Sequence, residues 1–262
     1  MTGRAVRQGR EQAALLRATM GLGDLPIPDV FALAEGVDGA PLVHILPMPN
    51  GPVGALLHGA DEWLIVVNSH DTTLARQRFT CAHELGHYLF DRDRGPLHVD
   101  ATLAQGDSVP ETRANAFAAH LLVPRTALER RIKGGQIDLN DQAHVVALAF
   151  EYGISYVSLC WHLQNNGLFG SAARSRLLAD ASPYRLAVRQ GLREKVDQET
   201  AAKNATRYPR RFLSLAVSAR DASLVDDAWF AERNLSEVLR DDDHDELFDQ
   251  EGFDFDDYDE RA

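Results

Sequence analysis

Cysteine is nearly absent: Cys81 and Cys160 are the two thiols in 262 residues. Two cysteines build no disulfide framework, which excludes the stapled secreted class. Long apolar runs are missing too. None reaches the roughly 18 residues that a membrane-spanning helix needs. The first residues, MTGRAVRQGREQAALLRATMG, mix Arg and Glu through their apolar positions and lack a signal-peptide core. These absences together point to the cytoplasm and to no membrane partner. Lysine is scarce, with Arg ahead by 24 to 3, a ratio we read as coding bias rather than mechanism.

Positive charge is also in deficit, at 27 Lys+Arg against 39 Asp+Glu, for a net of −12. The deficit is local. Residues 241–262 carry twelve acidic groups against Arg261, a charge of −11, which leaves −1 for residues 1–240. The body is therefore nearly neutral. With 45% apolar residues it can bury a real core. The tail has too little apolar surface to fold alone, although it contains Phe248, Phe253, Phe255 and Tyr258.

Along the chain, residues 4–20 and 29–35 read as short helices separated by Pro26 and Pro28. Residues 41–68 are rich in β-formers, and Trp63–Val67 is the strongest strand signal. A helix is expected over Leu74–Phe90, then a polar loop from Asp91 to Pro110, then a helix over Glu111–Leu122 ended by Val123-Pro124. Two further helices, Asp141–Tyr152 and Ser155–Gln164, meet at Gly153. The expected divisions are 1–128, 129–170, 171–240 and 241–262.

His83-Glu84-Leu85-Gly86-His87 is the pattern H-E-x-x-H, set in a helical stretch without proline. Positions i and i+4 share a helix face, so both imidazoles reach one ion. A working zinc site takes three protein ligands and leaves one position open. Glu84 would then act as general base on a water whose pKa falls towards ~7. The third ligand is not supplied by an H-x-x-G-x-x-H extension, because Phe90 and Asp93 stand where Gly and His would be needed. Glu111, on the next helix, is the favoured donor, with Asn115 one turn later to orient a ligand. A competing use of Glu111 is a capping box with Ser108. His98, Asp100 and Asp107 are the fallback ligands.

RQRFTCAHELGHYLF followed by ETRANAFAAHLLVP resembles the ImmA/IrrE metallopeptidases, and the strand ending Ile65-Val66-Val67-Asn68 matches their lead-in. The resemblance covers about residues 25–170. It implies an α+β fold: a minimal, gluzincin-like zincin with a small twisted sheet and an HExxH helix, followed by a helical, HTH-like region. It also implies Zn2+ held by His83, His87 and Glu111, with Glu84 as catalytic base. The substrate it implies is a repressor carrying a helix-turn-helix domain, whose cleavage switches on stress, mobile-element or defence genes. The alternative reading is a transcription regulator that binds nucleic acid or a partner and whose metal site is structural or inactive.

Other residues are weighed beside these. His98, in the loop, is a candidate to polarise a substrate carbonyl, and Arg78 or Arg76 to anchor substrate. His120 is nine residues past Glu111, on the far side of an ideal helix. Cys81 and Tyr88 read as packing residues. The strand Trp63–Asn68 either offers an edge to a substrate strand or lies central and fully paired. Ala149, Gly153 and Ser155 follow helix-turn-helix spacing, yet there is no Lys or Arg between Lys133 and Arg174, so the module reads as packing rather than DNA contact. Residues 171–220 carry a local +7 and include Arg185, Arg189, Arg193, Lys195, Arg207, Arg210 and Arg211. This stretch is the candidate surface for single-stranded nucleic acid, or for the acidic tail acting as a pseudo-ligand.

Overall fold

A computed structural model describes residues 2–37, 39–59, 62–92, 97–100, 108–179, 182–233 and 235, with the backbone alone for 2 and 97–100. The chain forms two compact units, Met1–Pro209 and Arg210–Ala262. The expected divisions at 128/129 and 170/171 both lie inside the first unit, and the former cuts through a helix, Arg125–Lys133. The acidic tail, 241–262, lies outside the described residues, as does Asp107.

The first unit is an α+β fold. It opens with α1 (Thr2–Thr19) and α2 (Val30–Glu35), then β1 (Leu42–Leu46), β2 (Gly54–His58) and β3 (Trp63–Asn68). Next come α3 (Leu74–Asp91), β4 (Leu97–Asp100) and α4 (Val109–Leu122). α5 (Arg125–Lys133), α6 (Gln142–Tyr152), α7 (Tyr156–Asn165), α8 (Ser171–Ala179), α9 (Pro183–Arg189) and α10 (Arg193–Ala201) complete it. Side-chain oxygens start the main helices. Asp29 accepts from Phe31 and Ala32 at α2, Thr73 from Arg76 at α3, and Ser108 from Glu111 at α4. The second unit holds α11 (Arg210–Asp221) and α12 (Asp227–Glu232).

The sheet order is β1-β3-β2-β4, parallel between β1 and β3 and antiparallel elsewhere. β3 is therefore central, paired on both sides. The expectation that it offers an edge to substrate is corrected, and its continuous apolar run is the physical reason. A second correction concerns 91–110, read as loop: Leu97–Asp100 pairs with β2, placing His98 opposite Leu56 and Asp100 opposite Gly54. One row of the sheet runs Val43, Ile65, Leu56, all fully buried. The next runs Ile45, Val67, Gly54.

α3 lies between the sheet and α4, and nearly every side chain from Thr80 to Tyr88 is buried. Two glycines permit this packing. A Cβ on Gly86 would meet Ala114 Cα at 3.1 Å, so α3 and α4 cross closely at the HELGH turn. On the other side of α4, a Cβ on Gly9 of α1 would stand 2.7 Å from Phe117 N. α4 is thus gripped by α1 and α3 together.

α6 and α7 bend by 102° at Gly153, whose φ of 61° is the left-handed cap a glycine supplies. Among the described residues no single helix is long and apolar enough to cross a membrane. Residues 199–208 form a strap. Glu199 Oε2 accepts the Ala75 amide at 3.0 Å, at the start of α3. Ser69 Oγ donates to Ala205 O at 2.7 Å, and Gln77 Nε2 donates to Ala202 O at 2.8 Å. Ile45 and Arg207 then exchange both backbone hydrogen bonds at 2.9 Å, along the outer edge of β1.

Candidate metal centre

α3 presents His83 and His87 one turn apart, and α4 brings Glu111 to them. His83 Nε2 lies 3.1 Å from His87 Nε2. Glu111 Oε2 is 3.3 Å from His83 Nε2, and Oε1 is 3.2 Å from His87 Nε2. Glu111 thus sets one carboxylate oxygen against each ring nitrogen, and one ligand atom from each of the three residues lies within 4.8 Å of the others, close enough to share one ion. Two imidazoles and a carboxylate suit zinc over calcium or magnesium. Both histidines are buried, while the Glu111 side chain is 22% exposed, so the site opens on the Glu111 side. Ser108 Oγ caps the Glu111 amide at 3.3 Å, so the amide takes the cap and the carboxylate stays with the histidines.

The outer nitrogens of the two rings are held differently. His83 Nδ1 is 3.0 Å from Asn115 Oδ1, a neutral amide. His87 Nδ1 is 3.2 Å from Asp91 Oδ2, a buried carboxylate. Asp91 Oδ1 in turn accepts from Arg113 Nη2 at 2.6 Å, and the Arg113 guanidinium lies 4.4 Å over the Phe90 ring. Burial pulls the His87 pKa down, but hydrogen bonds to Asp91 and Glu111 and the nearby negative charges outweigh it and raise it to about 10. Hydrogen bonds from His83 and His87 hold Glu111 far below the usual carboxylate range. Burial pushes Asp91 up, yet His87 and Arg113 together keep it low.

Glu84 is fully buried beside the pair. The space for it comes from Gly54 of β2, where a Cβ would stand 2.5 Å from Glu84 Oε1 and 2.5 Å from Thr80 Cγ2. Gly54, Asp91 and Arg113 were not marked in the sequence reading. Asp91 could have been, because it is i+4 from His87. Gly54 carried no such signal, since its role is set by a contact between strand and helix.

Other candidates fall elsewhere. Arg78 is not available to substrate: its guanidinium donates to Gly153 O at 3.2 Å, Pro28 O at 2.9 Å and Ile27 O at 2.6 Å. Each of its three nitrogens donates to a backbone carbonyl and the side chain is buried, so it ties α3 to two loops. Arg76 is exposed. His98 stands in β4, and its side chain and that of Asp100 lie outside the described residues. His120 packs edge-on to His162, with ring centroids 4.7 Å apart. Cys81 is buried, which drives its thiol pKa up. Tyr88 packs edge-on to Trp63 and donates to Gly39 O.

Residues 41–164 match the model of the IrrE N-terminal-like domain, peptidase family M78. Over that stretch, a little under half of the chain, the sequence is similar to the ImmA/IrrE family. The radiation response metalloprotease IrrE of Deinococcus deserti is 34% identical over 117 residues, 44% of this chain and 40% of that protein. The chain thus spans well under half the length of this curated relative. The IrrE-like stretch begins at β1 and ends within α7, so α1, which grips α4 through Gly9, lies before it.

Proposed function

We propose that this chain is a cytoplasmic, zinc-dependent endopeptidase that cuts one specific protein, a transcriptional repressor with a helix-turn-helix domain. The observation that carries the reading is the cluster of His83, His87 and Glu111 with Glu84 buried beside it. Zinc, when bound, supplies a Lewis acid that polarises the scissile carbonyl and makes water a nucleophile near neutral pH. Glu84 takes the proton of the attacking water and returns it to the leaving amine. Its position against Gly54 leaves it little freedom, so it begins each turnover already oriented.

The IrrE relative is named a radiation response metalloprotease, which favours a role in switching on genes under stress. The test is incubation of the purified zinc-loaded protein with helix-turn-helix repressors from the same organism, beginning with any encoded by a neighbouring gene, followed by mass spectrometry. A single cut is expected. An intact repressor under every condition would sink the substrate assignment.

The nucleic-acid partner suggested for 171–220 narrows in the first unit. Arg207 pairs with Asp29 at 2.9 Å and Lys203 with Asp71 at 2.9 Å. Arg174 stacks 3.6 Å over Trp161. Arg185 and Arg189 on α9 are exposed beside Tyr184 and Val188, so α9 is the surface we propose for that contact. Single-stranded oligonucleotides should bind more weakly after Arg185→Ala with Arg189→Ala, and unchanged binding would remove α9 from consideration.

A further inference from the structure

We propose that Asp91 and Arg113 are positioning residues of the metal centre, a relay that orients His87 and locks the two ligand-bearing helices together. The inference rests on the zinc reading given above and deepens it.

Asp91 belongs to α3, one turn past His87, and Arg113 belongs to α4, two residues past Glu111. Their ion pair therefore joins the two elements that deliver the ligands, beside the place where the ligands converge. Asp91 is 1% exposed and Arg113 8%. Burying two charges costs several kcal/mol per ion, and an apolar pair often gives as much stability. Stability alone is a poor reason to keep these residues here. Geometry supplies a better one. Asp91 Oδ2 faces His87 Nδ1, whereas Glu111 and His83 face His87 Nε2. The ring lies between Asp91 and the ligand cluster, so Asp91 is no ligand. It fixes Nδ1 as the donor, so Nε2, which faces the cluster, is the nitrogen that would bind a metal on losing its proton.

Arg113 keeps Asp91 in that position. The 2.6 Å contact occupies the carboxylate oxygen that does not face His87. The planar guanidinium also stacks on Phe90, which a lysine ammonium does less well. His83 Nδ1 faces the neutral amide of Asn115, and His87 Nδ1 faces a carboxylate that is itself ion-paired. Of these two contacts, the charged one gives its ligand the stronger support.

The experiment is zinc affinity of the full chain, measured by competition with a chromophoric chelator, for wild type, Asp91→Ala, Asp91→Asn, Arg113→Lys and Asn115→Ala. Thermal unfolding of each metal-free protein is recorded in parallel. Asp91→Ala is expected to weaken zinc by about 10- to 100-fold, the usual cost of losing such a partner. Asp91→Asn keeps an acceptor and the shape, so it should fold and recover part of the loss. Arg113→Lys should fall between wild type and Asp91→Ala, and Asn115→Ala should lose less than Asp91→Ala. Zinc affinity within about threefold of wild type in both Asp91 variants would overturn the relay. So would a loss in Asn115→Ala equal to that in Asp91→Ala. If wild type binds no zinc, or His87→Ala binds it as well as wild type, the zinc reading itself fails, and the relay with it.

Discussion

Gly54 of β2 faces Glu84 of α3 so closely that a single added methyl would stand 2.5 Å from the carboxylate oxygen. The neighbouring positions in the same row, Ile45 and Val67, carry full side chains. The sheet is hollowed at one residue, and the carboxylate fills the hollow.

Gly54→Ala should therefore injure turnover more than metal binding. Glu84 must shift, and a misplacement of about 1 Å costs on the order of 10²-fold in rate. Overpacking adds a stability loss of about 1–3 kcal/mol. Steady-state kinetics with zinc titration in parallel would check this. Full activity in Gly54→Ala would show that Glu84 need not be held where it lies.

The metal-free protein should be most stable near pH 6.5. His87 has its folded pKa raised to about 10, so its contribution is fully present below the unfolded value of 6.5 and is lost as pH rises towards 10. His120 and His162 are the opposite case. Burial lowers His120 to about 3, helped by His162 and by Arg10 and Arg125, and lowers His162 to about 4. Their unfolded forms bind protons first, so stability falls as pH drops from 6.5 through those values. Denaturant midpoints between pH 5 and 9 should trace a peak. A flat profile, or one still rising at pH 9, would contradict these assignments.

The strap should be required for folding of the first unit. Ending the chain at residue 170, just past the IrrE-like stretch, removes the Glu199 cap of α3 and the bridge between Arg207 and Ile45. That piece should lose cooperative unfolding, whereas a chain ending at 209 should keep it and keep zinc binding. In the full chain, Glu199→Ala should cost about 1 kcal/mol, as the loss of a helix cap does. Calorimetry separates these outcomes, and a stable 1–170 piece would refute the strap's role.

Legibility followed the range of the interactions. His83, His87 and Asn115 could be placed because helix periodicity alone brings i and i+4 together. Glu111 was reachable because the site needed a third donor. β4 was hidden: four residues in a polar stretch become a strand only through pairing with β2, which no local pattern reports. Arg78 looked like a surface cation. Its three carbonyl partners come from residues 27, 28 and 153, far away in sequence. Gly9 and Gly54 are read as ordinary glycines until the helix or strand they face is known. The ion pairs of Arg207 and Lys203 were hidden for the same reason: their carboxylates, Asp29 and Asp71, lie well over a hundred residues earlier.

The most direct measurement of the central claim compares wild type with Glu84→Gln for zinc content and repressor cleavage in the same preparations. The substitution keeps shape and removes the base. Both proteins should hold one zinc, and only the wild type should cut. A Glu84→Gln protein that holds zinc and cuts at the wild-type rate would contradict the assignment of Glu84 as the proton carrier of a zinc endopeptidase.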